Sequence, residues 1–189
     1  MTSDFPTIID ACVLVQAAVR DTLLRLSERR LFLCRWTDEI IDEVVRTLQN
    51  KLHRTPEQTD YLVSELRTYF PDAWVEPGYK QLVSAMPNAP KDRHVVAAAV
   101  KGSCEVIVTY NLKHFPKDPL RTLDIPAMTP DEFLLGLYFL NPEIVVHELH
   151  EQGAALNVKK SLSEVLTSLE RCQCNKFSEL IREKHNIKE

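Results

Sequence analysis

The sequence predicts an α/β fold on a mainly parallel sheet, followed by a helical C-terminal stretch. Three observations carry this expectation. Short apolar or β-branched runs at Thr7–Ile9, Ala73–Val75, Val106–Thr109 and Ile125–Met128 alternate with longer stretches of helical periodicity, as in parallel strands joined by crossover helices. Asp10 ends the first run and Asn111 stands just past the third, and ligands of open parallel sheets gather at strand carboxyl ends. Beyond Pro142 the strand-like runs cease and three helical patterns follow.

Taken in order, Thr7-Ile8-Ile9 reads as a buried strand. From Val13 to Arg30 the spacing of Leu14, Ala17/Ala18, Asp21 and Leu24/Arg25 is imperfectly helical, but Leu23, Leu24 and Leu26 give it an apolar side and it reads as one helix, after which Leu31–Cys34 is a brief apolar connection. Thr37 is an N-cap, with Asp38 and Glu39 in the first turn where the helix dipole favours them. Ile41, Val44, Val45, Leu48 and Leu52 extend that helix to about Leu52. Pro56 opens the next helix and Pro71 stops it. Ala73-Trp74-Val75 is expected as a short strand closed by Pro77-Gly78. Asp92 opens a helix running through Ala99, and Gly102-Ser103 breaks it before the next strand. Leu112–Arg121 reads as a polar loop, and Thr129-Pro130-Asp131 caps a helix ending near Leu140. The expected division is a sheet domain over 1–140 and a small helical extension over 141–189, docked on that domain or serving as a lid.

Composition narrows the classes. A chain of 189 residues, 44% hydrophobic and 26% charged, is an ordinary soluble globular protein. The longest apolar run, Phe133 to Leu140, falls far short of the roughly 20 residues that span a bilayer. No membrane segment is expected. The amino terminus lacks a basic region followed by an apolar core, so no secretory signal is read and a cytoplasmic location is expected. Five cysteines at scattered positions fit reduced thiols. Cys172 and Cys174 have no second pair to complete a tetrahedral zinc site. A net charge of -4 does not advertise nucleic-acid binding. Arg20, Arg25, Arg29, Arg30, Arg35 and Arg46 crowd the first quarter of the chain. They read either as a phosphate-tracking cluster or as a solvated helix face paired at i,i+4.

Several chemistries are excluded. The four glycines, at 78, 102, 136 and 153, build no phosphate-cradling loop. There is no G-x-S-x-G elbow and no H-E-x-x-H motif. Carboxylates at strand ends remain, and hard oxygen ligands suit magnesium or manganese. Asp10 and Asp92 each have two readings, as site carboxylates or as N-caps of the helices they precede. In Asp38–Glu43, with Ile41 at the centre of the apolar face, Asp42 falls roughly 100° away and Glu43 roughly 160°. Periodicity therefore selects no single carboxylate there, and makes Glu43 resemble a surface residue paired with Arg46. His94, one turn inside its helix, reads more readily as structural than as a proton donor.

Four stretches in matching order, Ile8-Ile9-Asp10-Ala11, Trp36 to Arg46, Asp92 to Ala99 and Val108 to Pro116, resemble the PIN-domain family. The likeness is to its VapC-like branch, the toxins of bacterial toxin–antitoxin pairs, and covers about residues 5–135; the helical tail is also similar. The resemblance implies a three-layer α/β/α fold and a metal-dependent ribonuclease whose carboxylates are Asp10, Glu43 and Asp92. The fourth family position, usually aspartate, is here Asn111, a ligand without charge. His114 stands where aspartate is common. The implied cofactor is Mg²⁺ or Mn²⁺, held by Asp10, Asp92 and Glu43, with Thr109 and Arg46 positioning water or substrate. The implied partners are an RNA substrate, a small antitoxin whose segment enters the acidic cleft, and a second copy of the chain. The rival readings are a catalytically weak PIN-fold module that binds RNA or protein, and a related nuclease acting on DNA.

Overall fold

Four short strands form one wholly parallel sheet: β1 (Pro6–Ile9), β2 (Leu33–Arg35), β3 (Val106–Val108) and β4 (Ala127–Met128), in the order β2-β1-β3-β4. The α/β class with a parallel sheet is the one the alternating pattern predicts. The computed structural model describes residues 4–187. In register, Thr7 lies beside Cys34 on one side and Val106 on the other. Thr7, Ile8 and Ile9 are fully buried, as suits a central parallel strand covered on both faces.

Two strand expectations are corrected. Leu33–Cys34 is not a mere connection, because β2 pairs with β1 over three residues. It escapes the pattern because it is a three-residue edge strand with only Cys34 buried and Arg35 at its end. The expected strand at Ala73–Val75 shrinks to a single parallel bridge between Trp36 and Trp74. A 3-10 turn over Pro71–Ala73 and the proline at 77 leave it no room to extend.

The helices associated with the sheet include α1 (Ala11–Leu14), which follows β1 directly. The single helix expected over Val13–Arg30 breaks instead. Gln16 is extended (φ −81°, ψ 97°), and α2 runs separately over Ala17–Glu28. Leu14 and Leu23 thus belong to different helices, which is why the periodicity across them was imperfect. Next, α3 (Asp38–Leu52) carries the Thr37 cap, whose side chain accepts from Ile40 N, and ends at His53 in a left-handed conformation. Then α4 (Pro56–Tyr69) opens with a capping box between Thr55 and Gln58. A run of 3-10 turns over Pro77–Ala85 packs against α5 (Arg93–Lys101). After α5 the left-handed residue is Ser103 (φ 49°). Gly102 has φ −83°, and there a Cβ would come within 3.0 Å of Val75 Cγ2 and 3.1 Å of Ala98 O. Its smallness, not its freedom, is what the packing requires. The expected polar loop over 112–121 contains a 3-10 turn, Leu112–His114, and a five-residue helix, α6 (Lys117–Arg121).

The chain divides into two compact units. Phe5–Val15 with Leu33–Met128 makes one, which holds the whole sheet; Gln16–Phe32 with the residues from Thr129 onward makes the other, together with Asp4. The second unit is helical. To α2 it adds α7 (Pro130–Leu140), α8 (Pro142–Ala154), α9 (Leu162–Glu170) and α10 (Asn175–His185). Leu23, Leu26, Leu149, Leu166, Phe177 and Ile181 are fully buried in it. Thr22 Oγ1 donates to Gln152 Oε1 at 2.6 Å, satisfying two buried polar groups together. Three of the clustered arginines form ion pairs in this unit, one of them at i,i+4 and two with partners far along the chain. Arg25 meets Asp21 at 3.0 Å, Arg29 meets the buried Glu148, and Arg30 meets Asp4 at 2.8 Å. Among the described residues, no helix is long and apolar enough to cross a membrane.

Candidate active site

In the first unit Asp10 and Thr109 stand at the carboxyl ends of the two central strands, β1 and β3, while Glu43 comes from α3 and Asp92 from the start of α5. Asp10 follows β1 at once, and its backbone N–H donates to Val108 O at 3.0 Å. It occupies the N-cap position of α1, yet its side chain makes no capping hydrogen bond. Only 3% of Asp10 is exposed, and its Oδ2 is met by two side-chain donors. Thr109 Oγ1 donates at 2.6 Å and Cys12 Sγ at 3.1 Å. Each donor is itself held by a backbone amide past β3. Asn111 N donates to Thr109 Oγ1 at 3.0 Å, and Tyr110 N donates to Cys12 Sγ at 3.3 Å. Burial pushes the Cys12 thiol up to about 12, and the charge of Asp10 adds to this, so the sulfur keeps its proton.

Asp92 closes a 3-10 turn over Pro90–Asp92 and stands at the N-cap of α5, again without a side-chain cap. For both aspartates the capping job is left undone, and the carboxylates turn elsewhere. Burial raises the pKa of Asp92; His114 opposes this and Asp10 reinforces it. His114 Nδ1 lies 3.1 Å from Asp92 Oδ2, within ion-pair distance. Both atoms are buried without a hydrogen-bond partner among the described residues.

Glu43 comes from α3, where Ile41 and Val44 are buried beside it. Its side chain is 34% exposed, with Arg46 Nη2 at 3.9 Å and His94 Nε2 at 3.8 Å. The surface pairing with Arg46 is therefore present, and so is an inward side. Burial raises the Glu43 pKa, His94 and Arg46 lower it, and Asp10 and Asp92 both raise it. The three carboxylates thus lie within one another's electrostatic reach. His94 is 5% exposed and its Nε2 lacks a hydrogen-bond partner. Asn111 joins through its backbone, and its side chain does not cap the turn that follows. Arg46 is 66% exposed at the rim.

Clustered hard oxygens of like charge suit a divalent cation, which relieves their mutual repulsion. Asp92 Oδ2, buried with no hydrogen bond among the described residues, is the kind of atom such an ion satisfies. Among the described residues, however, no three His, Cys, Asp or Glu side chains are gathered closely enough to hold an ion as they stand. The donor set fits by chemistry and charge, not by preset spacing. Sequence reasoning passed over Cys12, which it took for a plain reduced thiol, and the pairing of His114 with Asp92. The i,i+2 step from Asp10 was the available signal for Cys12, but a thiol is a weak donor and such spacing is common.

A parallel sheet of order β2-β1-β3-β4 with Asp10 just past β1 fits a PIN-domain architecture. The family described as PIN domain matches residues 6–113, more than half of the chain, and this protein belongs to that family. The family described as VapC50 C-terminal domain matches residues 130–183. Over 58 residues the chain is 60% identical to "Putative ribonuclease VapC50" of Mycobacterium tuberculosis, a stretch covering 31% of this chain and 34% of the relative. The aligned region thus spans about one third of that relative's length. No solved structure matches the chain.

Proposed function

We propose that this chain is a metal-dependent endoribonuclease and the toxin of a toxin–antitoxin pair, hydrolysing RNA phosphodiesters at the acidic site. The observation that carries this is the grouping of Asp10, Glu43 and Asp92 within mutual electrostatic reach in a PIN-domain chain. The local likeness to the mycobacterial relative and the match of the C-terminal helices to the VapC50 tail support the toxin reading. The nuclease function is assigned to residues 1–140 with 141–189 as an extension, α2 and α7 grouping with the helices of that extension.

Asp10, Asp92 and Glu43 would hold Mg²⁺ or Mn²⁺. When bound, the ion supplies neutralising charge to the carboxylates and to the phosphodiester, and orients water for in-line attack. Thr109 holds Asp10 Oδ2 through its hydrogen bond. Asn111 contributes a neutral carbonyl to the site, and Arg46, exposed beside Glu43, meets a substrate phosphate. A small antitoxin is the regulating partner, its basic segment complementing the acidic cleft, and the chain pairs with a second copy in the cytoplasm. The second reading, a catalytically weak module that grips RNA or protein, draws on Asn111, neutral where the family position is usually acidic.

Inducible expression of the parent and of Asp10→Ala, with mapping of RNA ends, tests the proposal. Growth arrest with new RNA ends is expected from the parent alone. Arrest by both chains contradicts it.

A further inference from the structure

Asp10 Oδ2 receives two parallel relays from consecutive backbone amides. In one, Asn111 N–H donates to Thr109 Oγ1 at 3.0 Å, and Thr109 donates to the carboxylate at 2.6 Å. In the other, Tyr110 N–H donates to Cys12 Sγ at 3.3 Å, and Cys12 donates to the same oxygen at 3.1 Å. The two relays touch, with Sγ and Oγ1 3.5 Å apart. Cys12 lies in α1 after β1, while Thr109, Tyr110 and Asn111 follow β3. Each relay therefore ties the end of one central strand to the end of the other through the carboxylate.

We propose that Cys12 is a positioning residue for Asp10, the second arm of a two-armed device that turns Oδ1 toward the ligand. The proposal rests on the metal-site reading above. One hydrogen bond holds a carboxylate oxygen loosely, leaving play in χ1 and χ2 as the length and angle of that bond vary. A second donor from a different direction removes that freedom. Both arms end on Oδ2, so the other oxygen stays available. Chains of hydrogen bonds polarise one another, so each backbone amide strengthens the donor it feeds. Outer partners that orient a metal ligand typically change affinity by about 10–100-fold when removed. A thiol is a weak donor, which places Cys12 at the lower end.

The test is Mn²⁺ titration of the full chain, with free ion read by electron paramagnetic resonance, on the parent, Cys12→Ser, Cys12→Ala, Cys12→Val and Asp10→Asn. Urea midpoints establish that each variant is folded, and Cys12→Val, donorless and bulkier than alanine, fills the site if the alanine variant does not fold. Affinity is expected to fall about tenfold in Cys12→Ala and Cys12→Val. It should stay near the parent value in Cys12→Ser, whose hydroxyl donates in place of the thiol. Parent-like affinity in the two donorless variants overturns the proposal while leaving the metal site intact. An equal loss in the serine variant also overturns it, because the effect would then be one of fit, not donation. A parent whose Mn²⁺ binding is unaffected by Asp10→Asn overturns the metal-site reading and this proposal with it.

Discussion

Thr109 offers the sharpest single perturbation of the site. It is fully buried, and its hydroxyl donates to Asp10 Oδ2 at 2.6 Å while accepting from Asn111 N at 3.0 Å. The first distance lies in the range of charge-assisted O–H···O⁻ bonds. Thr109→Val keeps the shape of the side chain and removes only the hydroxyl. A hydrogen bond to a charged group contributes about 1.5–3 kcal/mol. Asn111 is half-buried, so its freed N–H can find water and adds little to that loss. For a chain of this length each kcal/mol moves Tm by about 2–4 °C, which gives an expected drop of roughly 3–12 °C. The assay is thermal unfolding by circular dichroism in buffer free of divalent ions, with Thr109→Ser alongside. The serine variant should recover most of the loss, because its hydroxyl reaches the same oxygen. A valine variant melting within about 1 °C of the parent would refute the view that this bond holds Asp10 in place.

Asp92→Asn should stabilise the ion-free protein at neutral pH by about 0.5–2 kcal/mol, the usual yield of relieving an unfavourable charge. The sign follows from burial and Asp10 raising the Asp92 pKa. Between its ordinary and raised values the native state holds the extra proton, so parental stability falls as pH rises through that window. The advantage of the variant should therefore vanish in urea titrations at pH values below the ordinary carboxylate range, and a pH-independent advantage contradicts it. In the helical unit, a Cβ on Gly153 would run into the backbone carbonyl of Lys160. Gly153→Ala should accordingly cost about 1–3 kcal/mol, as overpacking does, measured by urea unfolding; an unchanged midpoint would show that the segment yields freely.

Where local signals were strong, the chain was legible. Helix α3 begins and ends where the Thr37 cap and the spacing of its apolar residues put it, and α7 follows its Thr129-Pro130 opening. Asp10 and Asp92 stand out in the sequence as polar residues at element boundaries, but that neither side chain caps is a matter of side-chain direction that spacing does not encode. Glu43 was a different matter. Its angle on the helix wheel is that of a surface residue, and only the resemblance singled it out. Strand β2 was too short to show a period. The grouping of α2 with helices more than a hundred residues later in the chain was equally hidden, because periodicity reports that a face is apolar and not what covers it. The pairing of His114 with Asp92 was hidden for the same reason, as was the reach of Cys12 to Thr109 and Tyr110 nearly a hundred residues on.

Cleavage of a defined RNA by the purified chain in Mn²⁺ or Mg²⁺, comparing the parent with Asp10→Asn and Asp92→Asn, tests the central claim most directly. Cleavage that requires the ion and is lost in both variants, while all three proteins share the same folded circular dichroism spectrum, is the predicted result. Cleavage that proceeds equally well in either variant would contradict a nuclease site built on these carboxylates.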